Sequence, residues 1–305
     1  MGLLDRAVAG DGAALARLAT LLENDDPAAL DAIDAQAGLR PPPYVIGLTG
    51  PPGAGKSSLI NALLPHLQHV DKTAILLVDP SSQKTGGAVL GDRVRMFTWG
   101  DDRLFIRSMA TRGQEGGLAP ATGALIDLFA LTGFDTVIIE TVGVGQDGID
   151  IQAMADTTIV AQSPQTGDAV QALKAGILEI ADIFVVTKSD LTGAQSLVRD
   201  LNTMIHFGSR DASDWTPQVV AVSATKNEGL GLLQDVLSRH CSYITERGRL
   251  DRKLSRERWE IEKRAANEVR KAARRSNVSD DSALTRRQRT AQLMRSALAG
   301  LERHE

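Results

Sequence analysis

The residues with the clearest chemical meaning form the run from Gly50 to Ser57, which reads Gly-Pro-Pro-Gly-Ala-Gly-Lys-Ser. The spacing Gly-x-x-x-x-Gly-Lys-Ser is typical of a phosphate-binding loop, in which backbone N–H groups and a helix N-terminus surround an anion. Lys56 is predicted to reach the β- and γ-phosphates of a nucleoside triphosphate, and the Ser57 hydroxyl to bind Mg²⁺. The alternative is an ordinary glycine-rich turn between a strand and a helix. The apolar run before the motif and the helical pattern after it favour the phosphate-binding loop.

Further candidate groups for a triphosphate site follow other parts of the sequence. Glu140 ends the apolar run that begins at Val137, and a carboxylate there is expected to support Mg²⁺ and its waters. Asp79 ends another apolar run and Asp92 follows a glycine-rich turn, although either could instead cap a helix. Gly143 is expected to offer its N–H to the γ-phosphate. The alternative for the region after Glu140 is an ordinary strand-to-loop transition.

A second motif, Thr187-Lys188-Ser189-Asp190, matches the Asn/Thr-Lys-x-Asp pattern of guanine nucleotide-binding proteins. The Asp190 carboxylate is predicted to accept hydrogen bonds from N1–H and the 2-amino group of guanine. Adenine has neither donor, so it would leave a buried carboxylate unpaired. Lys188 is expected to lie along the base, and the backbone at Ala224, within Ser223-Ala224-Thr225, to contact guanine O6. The predicted ligands are GTP and GDP.

Seven apolar runs separated by helical patterns are expected to position these motifs. Such near-continuous runs fit strands buried on both faces of a parallel sheet, with the ligand at the carboxyl edge. The predicted fold class is α/β, a P-loop NTPase with a mostly parallel central sheet flanked by helices and with helical N- and C-terminal extensions. The predicted strands are Tyr44–Thr49, Thr73–Asp79, Leu104–Ser108, Thr136–Glu140, Thr158–Ala161, Ile183–Thr187 and Gln218–Ser223.

The chain is predicted to have three parts: an N-terminal helical extension over residues 1–43, a GTPase domain over 44–245 and a C-terminal helical arm over 246–305. Leucines at helix spacing predict that the first part packs as a small helical pair on the main domain. In the arm, a narrow apolar stripe on charged helices needs a partner, which could be the same chain, a second copy or another protein. The charged residues around the stripe are expected to form a solvated helix face. We predict a homodimer. The stripe positions are Leu254, Ile261, Ala265, Ala272, Met294, Ala297, Leu298 and Leu301.

The overall composition argues against several kinds of protein. The 305 residues carry a formal net charge of −4, which gives no general attraction to nucleic acid or to an anionic membrane. No apolar run approaches the roughly 18 residues that a membrane-spanning helix needs, and Asp5 and Arg6 argue against a signal peptide. The single cysteine, Cys241, excludes an internal disulfide. We therefore expect a soluble cytoplasmic protein that binds neither nucleic acid nor membrane.

The run Glu140–Gln146 reads Glu-Thr-Val-Gly-Val-Gly-Gln. Further distinctive segments are Gly50–Ser57, Val78–Ser82, Gly86–Met96, Arg107–Met109, Gly116–Ala119 and Ala175–Asp190. Through these segments the chain, from about Tyr44 to Leu237, resembles the MeaB/ArgK branch of P-loop GTPases, of the SIMIBI class, for which the run Glu140–Gln146 is a specific signature. Proteins of this branch assist adenosylcobalamin-dependent acyl-CoA mutases, such as methylmalonyl-CoA mutase.

The resemblance implies GTP hydrolysis coupled to loading the corrin cofactor onto a mutase and protecting it there. It also implies dimerisation through the C-terminal end. The implied Mg²⁺ ligands are Ser57, Asp79, Asp92 and Glu140, and the catalytic candidates are Lys56, Glu140 and Asp92. The nucleotide-binding candidates are Gly53, Ala54, Gly55, Lys56, Ser57, Ser58, Gly143, Thr187, Lys188, Asp190, Ser223 and Ala224.

The chain departs from the family in three loops that are expected to face the partner, so the identity of the mutase stays open. Asp147-Gly148 stands where the family commonly has Ser-Glu, and Glu115 where it often has leucine. Residues 164–168 read Pro-Gln-Thr-Gly-Asp where the family often has Pro-Gly-Ala-Gly-Asp. A fourth change, Thr187 for the commoner asparagine, is one that other GTPases tolerate.

Neither the residue that positions the attacking water nor the charge stabiliser is fixed by the sequence. Gln146 is one candidate for the water, and slow intrinsic hydrolysis raised by a partner is expected. The candidate charge stabilisers, each of which could equally be structural, are Arg93, Arg95, Arg107 and Arg112.

Two other functions remain open. A GTP-dependent metallochaperone would need histidine or cysteine ligands near the nucleotide, and the pair His66 and His69 is the nearest candidate. The other alternative is a small-molecule kinase of the transport-related ArgK type. The guanine-reading motif argues against it.

Overall fold

The computed structural model describes residues 2–36, 38–67, 72–79, 103–111, 118–141, 147–165, 178–207, 214–247, 250–275 and 294–295. Within them the chain forms a seven-stranded sheet whose strands are β1 Tyr44–Thr49, β2 Thr73–Asp79, β3 Leu104–Ala110, β4 Thr136–Thr141, β5 Thr157–Gln162, β6 Ile183–Val186 and β7 Gln218–Ala221. The order across the sheet is β3-β2-β4-β1-β5-β6-β7. All six neighbouring pairs are parallel, so the carboxyl ends of the strands meet at one edge.

Helices connect these strands and extend the chain at both ends. They are α1 Leu3–Val8, α2 Gly12–Glu23, α3 Pro27–Asp34, α4 Lys56–Leu63, α5 Thr122–Leu131, α6 Asp147–Met154, α7 Ala194–Phe207, α8 Leu230–Arg247 and α9 Leu250–Arg275. A 3₁₀ turn, Leu64–Leu67, continues α4, and a short helical turn covers Leu178–Ile180. Aspartate side chains begin α2 and α3, where Asp11 and Asp26 accept hydrogen bonds from backbone N–H groups of the first turn.

Each predicted strand is present, and the predicted ends differ from the observed ones by at most two residues. The strand ends differ because they depend on pairing with neighbouring strands, which the amino-acid sequence does not show. Strand β3 runs beyond Ser108 because Met109 and Ala110 still pair with β2. Strand β7 stops before Ser223 because that residue instead pairs with Glu228 in a turn.

Alternate residues of the central strands supply two separate cores. Val45 and Leu76 pack with α2, α3 and α5, while Ile46 and Ile75 pack with α4 and α8. Successive side chains of a strand point to opposite faces, so helices cover both faces of the sheet. A smaller core lies under α7 beside β5 and β6. Burial on both faces explains why these strands read as continuous apolar runs.

The N-terminal helices share a core with the sheet, as predicted, although the described residues form three helices and not the predicted pair. Leucines of α2 are buried in the same cluster as the strand residues. Arg107, on the edge strand β3, adds a polar anchor, because its guanidinium donates hydrogen bonds of 2.9 and 2.6 Å to the two carboxylate oxygens of Glu23. Its second terminal nitrogen lies 3.4 Å from the carbonyl oxygen of Ala16. Of the two roles left open for Arg107, the structure favours the structural one.

Helix α9 packs against α6 through a face that its apolar stripe does not predict. Trp259 is 6% exposed, and its indole N–H donates a 2.9 Å hydrogen bond to Asp150. Lys263 lies 2.7 Å from the same carboxylate group. Arg256 donates a 3.1 Å hydrogen bond to the carbonyl oxygen of Met154. Charged residues that the sequence suggested were solvated thus hold the arm on the domain.

The predicted stripe of α9 lies elsewhere on the helix. Leu254 is 52% exposed and Ile261 is 69% exposed, so this pair makes little contact with its own chain. The boundary predicted after residue 245 falls in the last turn of α8, which continues to Arg247. The division into three parts stays a prediction. Among the helices that the structure describes, we find none with an apolar stretch long enough to cross a membrane.

Candidate nucleotide site

The predicted phosphate-binding loop curls between β1 and α4. Gly50, Gly53 and Gly55 have φ angles of 146°, 75° and 82°, which residues with a Cβ rarely adopt. At Gly50 a Cβ would also lie 2.2 Å from the carbonyl oxygen of Ala161 on β5. Gly55 is the N-cap of α4, so the loop leads directly into a helix N-terminus. The loop thus offers the positive helix end and the adjacent N–H groups that bind phosphate.

Lys56 is folded over this loop and is only 6% exposed. Its ammonium group donates hydrogen bonds of 2.8 Å to the carbonyl oxygen of Gly50 and 3.2 Å to that of Pro51. These partners hold the positive charge at the loop, where the β- and γ-phosphates are predicted to lie. The other predicted contacts, Ala54 and Ser58, belong to the same loop and to the first turn of α4.

Ser57 and Glu140 meet in space although 83 residues separate them in sequence. The Ser57 hydroxyl donates a 3.0 Å hydrogen bond to Oε1 of Glu140. Strand β2 pairs with β4 so that Leu77 is opposite Glu140, and β2 ends two residues later at Asp79. The Ser57 hydroxyl and the Glu140 carboxylate are oxygen ligands of the kind that Mg²⁺ prefers, so these two residues fit the predicted ion. The predicted ligand Asp92 and the predicted phosphate contact Gly143 lie outside the described residues, as does Gln146.

Thr187 joins the base-reading motif to the phosphate-binding loop. Its hydroxyl lies within hydrogen-bond distance of the carbonyl oxygen of Ala54 and 2.9 Å from that of Gln162. The residue is buried, so these contacts are shielded from water. A Cβ placed on Gly55 would lie 3.8 Å from the Thr187 side chain. The two motifs are therefore adjacent at the carboxyl edge of the sheet, as the sequence predicted.

Asp190 and Ser223 are also brought together. The Ser223 hydroxyl donates a 2.7 Å hydrogen bond to Oδ1 of Asp190. This bond, followed by a backbone hydrogen bond, holds the pKa of the Asp190 carboxyl below its usual value. The structure shows Asp190 exposed, whereas the prediction from sequence treats this carboxylate as buried. An ionised carboxylate oriented by a hydroxyl is suited to accept two hydrogen bonds from a guanine base. The neighbouring Ala224, predicted to contact guanine O6, lies in the same turn.

Lys188 has a contact that sequence reasoning missed. Its backbone has a left-handed φ of 51°, and its ammonium group donates a 3.1 Å hydrogen bond to Oε1 of Gln165. Gln165 belongs to one of the loops in which the chain departs from the family pattern. We expected that loop to face a partner protein, yet its glutamine lies beside the base-reading lysine. The departure from the family pattern at Gln165 marked this loop as unusual. Only the structure shows that Gln165 contacts Lys188.

A phosphate-binding loop that follows the first strand of a parallel sheet, next to a Thr-Lys-x-Asp motif, defines a P-loop GTPase. The profile of the family described as "Methylmalonyl Co-A mutase-associated GTPase MeaB" matches residues 15–278. The chain belongs to this family, and it is a hydrolase that acts on GTP.

Several proteins are similar to the chain over most of its length. A protein of Pyrococcus abyssi that is named as a GTPase is 43% identical over 255 residues, which cover 82% of this chain and 79% of the relative. The mouse protein "Methylmalonic aciduria type A homolog, mitochondrial" is 36% identical over 65% of this chain and 49% of its own length. The "Fused isobutyryl-CoA mutase" of Cupriavidus metallidurans is 38% identical over 70% of this chain but only 20% of that longer protein.

A solved structure supports the same fold. The protein described as "LAO/AO transport system kinase" superposes with a TM-score of 0.66 and 25% sequence identity. The superposition covers 96% of this chain and 95% of the other.

Proposed function

We propose that the chain is a Mg²⁺-dependent GTPase that loads and protects the cofactor of an adenosylcobalamin-dependent acyl-CoA mutase. The observation that carries the proposal is the family match over residues 15–278, because that family is described by its association with methylmalonyl-CoA mutase. The names of two relatives, one a fused acyl-CoA mutase, support the same class of partner. The proposed partner is therefore an acyl-CoA mutase as a class, and not one named enzyme.

The described side chains support a simple division of labour in GTP hydrolysis. Lys56 binds the β- and γ-phosphates from within the loop, and Asp190 with Ser223 orients the guanine base. Ser57, Asp79, Asp92 and Glu140 are proposed to hold Mg²⁺, which when bound neutralises charge on the phosphates. Glu140 also accepts the hydrogen bond that fixes the Ser57 hydroxyl. Catalysis on this basis is positioning and electrostatics, as is usual for phosphoryl transfer.

A partner is proposed to raise a slow intrinsic rate by ordering the loops after Glu140 and near Arg107. Coupling of binding is reciprocal, so the GTP- and GDP-bound forms must differ in their affinity for the mutase. The protein is further proposed to act in the cytoplasm as a homodimer joined by the C-terminal arm. The exposed pair Leu254 and Ile261 on α9 supports that contact.

The test is to measure GTP hydrolysis with and without purified candidate mutases, together with the survival of mutase activity during turnover. We expect one mutase to accelerate hydrolysis at least severalfold and to survive longer in the presence of GTP. Lys56→Ala is the matched control, because it removes the charge at the phosphates and should abolish both effects. A set of mutases that changes neither rate nor survival would contradict the mutase role while leaving the GTPase class intact.

The transport-related kinase is a second candidate, because a structural neighbour carries that name. Hydrolysis and transfer differ in where the γ-phosphate goes. Recovery of all the radiolabel from γ-labelled GTP as inorganic phosphate, in the presence of cell extract, would favour hydrolysis. Label found in a small molecule would favour the kinase.

A further inference from the structure

A cavity of about 580 Å³ opens at the amino edge of the sheet, at the end of β1 away from the phosphate-binding loop. Tyr44 and Ile46 of β1 line it together with Leu67 of the 3₁₀ turn and Leu237 of α8. Small-molecule sites commonly measure about 300–1,000 Å³ and combine apolar walls with a few polar groups. The cavity is therefore large enough for a ligand, and it is separate from the nucleotide site described above.

The polar groups of this cavity favour a positively charged ligand. Carboxylates of Asp135 and Glu246 belong to its wall, with hydroxyls of Ser238, Ser242 and Thr245. Among the lining residues that the structure describes, His66 is the one basic side chain, and there is no lysine or arginine. Apolar surface next to two carboxylates suits a cation attached to an apolar body.

A buried hydrogen-bond chain stiffens the wall behind Tyr44. The Tyr44 hydroxyl bonds to Oγ1 of Thr157, which lies 2.6 Å from Nδ1 of His240. On the other side of the ring, Nε2 of His240 lies 3.3 Å from Oδ1 of Asp182. Thr157 therefore links Tyr44 to one side of the His240 ring, and the Asp182 carboxylate lies beside the other side. These contacts fix the orientation of Tyr44 in the cavity wall.

Burial keeps the Tyr44 side chain neutral. Burial raises the pKa of Tyr44 far above its usual value, more than the Thr157 hydrogen bond lowers it. A neutral tyrosine ring in a pre-formed wall attracts cations through its face. The aromatic and carboxylate groups therefore favour the same kind of ligand.

We propose that this cavity is a second binding site, which takes a small primary amine attached to an apolar body. The chain's single cysteine makes the site accessible to a direct test, because Cys241 lines the cavity. The Cys241 thiolate attacks the divalent sulfur of a methanethiosulfonate reagent, forms a mixed disulfide and releases methanesulfinate. The rate can be compared for a reagent that carries an ammonium group and one that carries a sulfonate.

The first experiment normalises each rate to that of the same reagent with free 2-mercaptoethanol. At low salt the ammonium reagent should be favoured over the sulfonate by on the order of tenfold, and the preference should fall in high salt. Glu246→Gln should reduce the preference, whereas Asp200→Asn, on the exposed side of α7, should not. A normalised ratio of one or less, or a cysteine that reacts with neither reagent, would overturn the proposal.

The second experiment uses 2-phenylethylamine as the probe ligand and 2-phenylethanol as its uncharged match. Millimolar amine should slow modification of Cys241 by N-ethylmaleimide at least threefold, and the alcohol should protect much less. Ser238→Trp should fill the cavity and remove the protection while GTP hydrolysis is retained. Equal protection by the alcohol, or none by the amine, would show that the cavity does not select amines.

Discussion

At the residue scale, Asp190 is the side chain on which the choice of nucleotide is expected to depend. Replacing it with asparagine puts an amide donor where guanine also has a donor, whereas xanthine offers a carbonyl oxygen there. Asp190→Asn should therefore lower the preference for GTP over XTP by tenfold or more, because an unpaired polar group penalises the wrong base. The measurement is the affinity of each variant for fluorescent GTP and XTP analogues.

Ser223→Ala is the matched control for this prediction. It removes the 2.7 Å hydrogen bond that orients Asp190 but leaves the carboxylate in place. Binding of GTP should weaken without a change of preference. If Asp190→Asn leaves the preference for GTP unaltered, the carboxylate does not read the base.

Thr187 shows how one hydroxyl can link two motifs. Thr187→Val keeps the shape of the side chain but leaves the carbonyl oxygens of Ala54 and Gln162 without this donor. The free energy of unfolding should fall by about 1–3 kcal/mol, the usual cost of losing such a buried bond. Because the loop is no longer fixed to β6, the dissociation constant for GTP should rise as well.

Thr132→Val provides the comparison, since Thr132 is also buried and its hydroxyl donates to the carbonyl oxygen of Leu128. Chemical denaturation and GTP titration of both variants separate stability from binding. Thr132→Val should lose stability and keep its affinity for GTP. The same loss of affinity in both variants would contradict a specific role for Thr187.

At the element scale, the docking of α9 on the domain is expected to depend on pH through Glu260. The Glu260 carboxylate lies against Gly123 of α5, where a Cβ would come within 1.9 Å of its Oε1. Burial, followed by the nearby Asp127, raises the pKa of Glu260 to about 7 from an ordinary value of 4.5. Arg264, which is paired with Asp34 at 3.1 Å, and Arg256 oppose this shift.

The sign of the effect follows from the raised pKa. The folded chain keeps a proton on Glu260 that the unfolded chain has already lost, so this stabilisation is complete below about pH 4.5 and is lost as the pH rises through about 7. Glu260→Gln is neutral at every pH and should keep the stabilisation. The melting temperature of the variant should match the wild type at pH 4 and exceed it at pH 8.

Glu262→Gln tests whether removing any carboxylate charge from α9 raises the melting temperature at pH 8. Glu262 lies on the solvent side of α9, paired at 3.1 Å with Arg258. Its replacement should leave the melting temperature unchanged at both pH values. A Glu260→Gln variant that melts like the wild type at pH 8 would show that Glu260 does not control docking.

At the scale of the whole molecule, the exposed residues of α9 are expected to join two copies of the chain. Trp259 and Arg256 hold the helix on its own domain, and this leaves Leu254 and Ile261 available on another part of its surface. The double variant Leu254→Asp, Ile261→Asp should be monomeric, because two carboxylates cannot be buried in an apolar contact. Light scattering of the variant and the wild type measures the mass directly.

Truncation before α9 is a weaker test of the same contact, because it also uncovers the surface of α6 that Trp259 covers. The double variant Gln195→Asp, Ser196→Asp adds the same two negative charges at exposed positions on α7, and it should keep the mass of the wild type. A monomeric wild type, or a double variant that remains dimeric, would show that Leu254 and Ile261 do not join two copies of the chain.

The sequence by itself determined the sheet and the chemistry at its carboxyl edge. Strands buried on both faces must be apolar throughout, so they could be located without knowledge of their neighbours. The phosphate-binding loop and the Thr-Lys-x-Asp motif are local, since each depends on the backbone of a few consecutive residues. Their adjacency followed from the rule that parallel strands bring their carboxyl ends to one edge.

Only the tertiary structure decided which long charged side chains are engaged and with what. Arg107 bonds to Glu23, Trp259 and Lys263 meet at Asp150, and Lys188 bonds to Gln165. These partners lie far apart in sequence, and a flexible charged side chain looks the same in the sequence whether it is solvated or buried. For that reason the solvated face predicted for α9 was wrong at the residues that hold it to the domain. The cavity lined by Tyr44 could not be predicted from the sequence either, because it is formed between elements that are far apart along the chain.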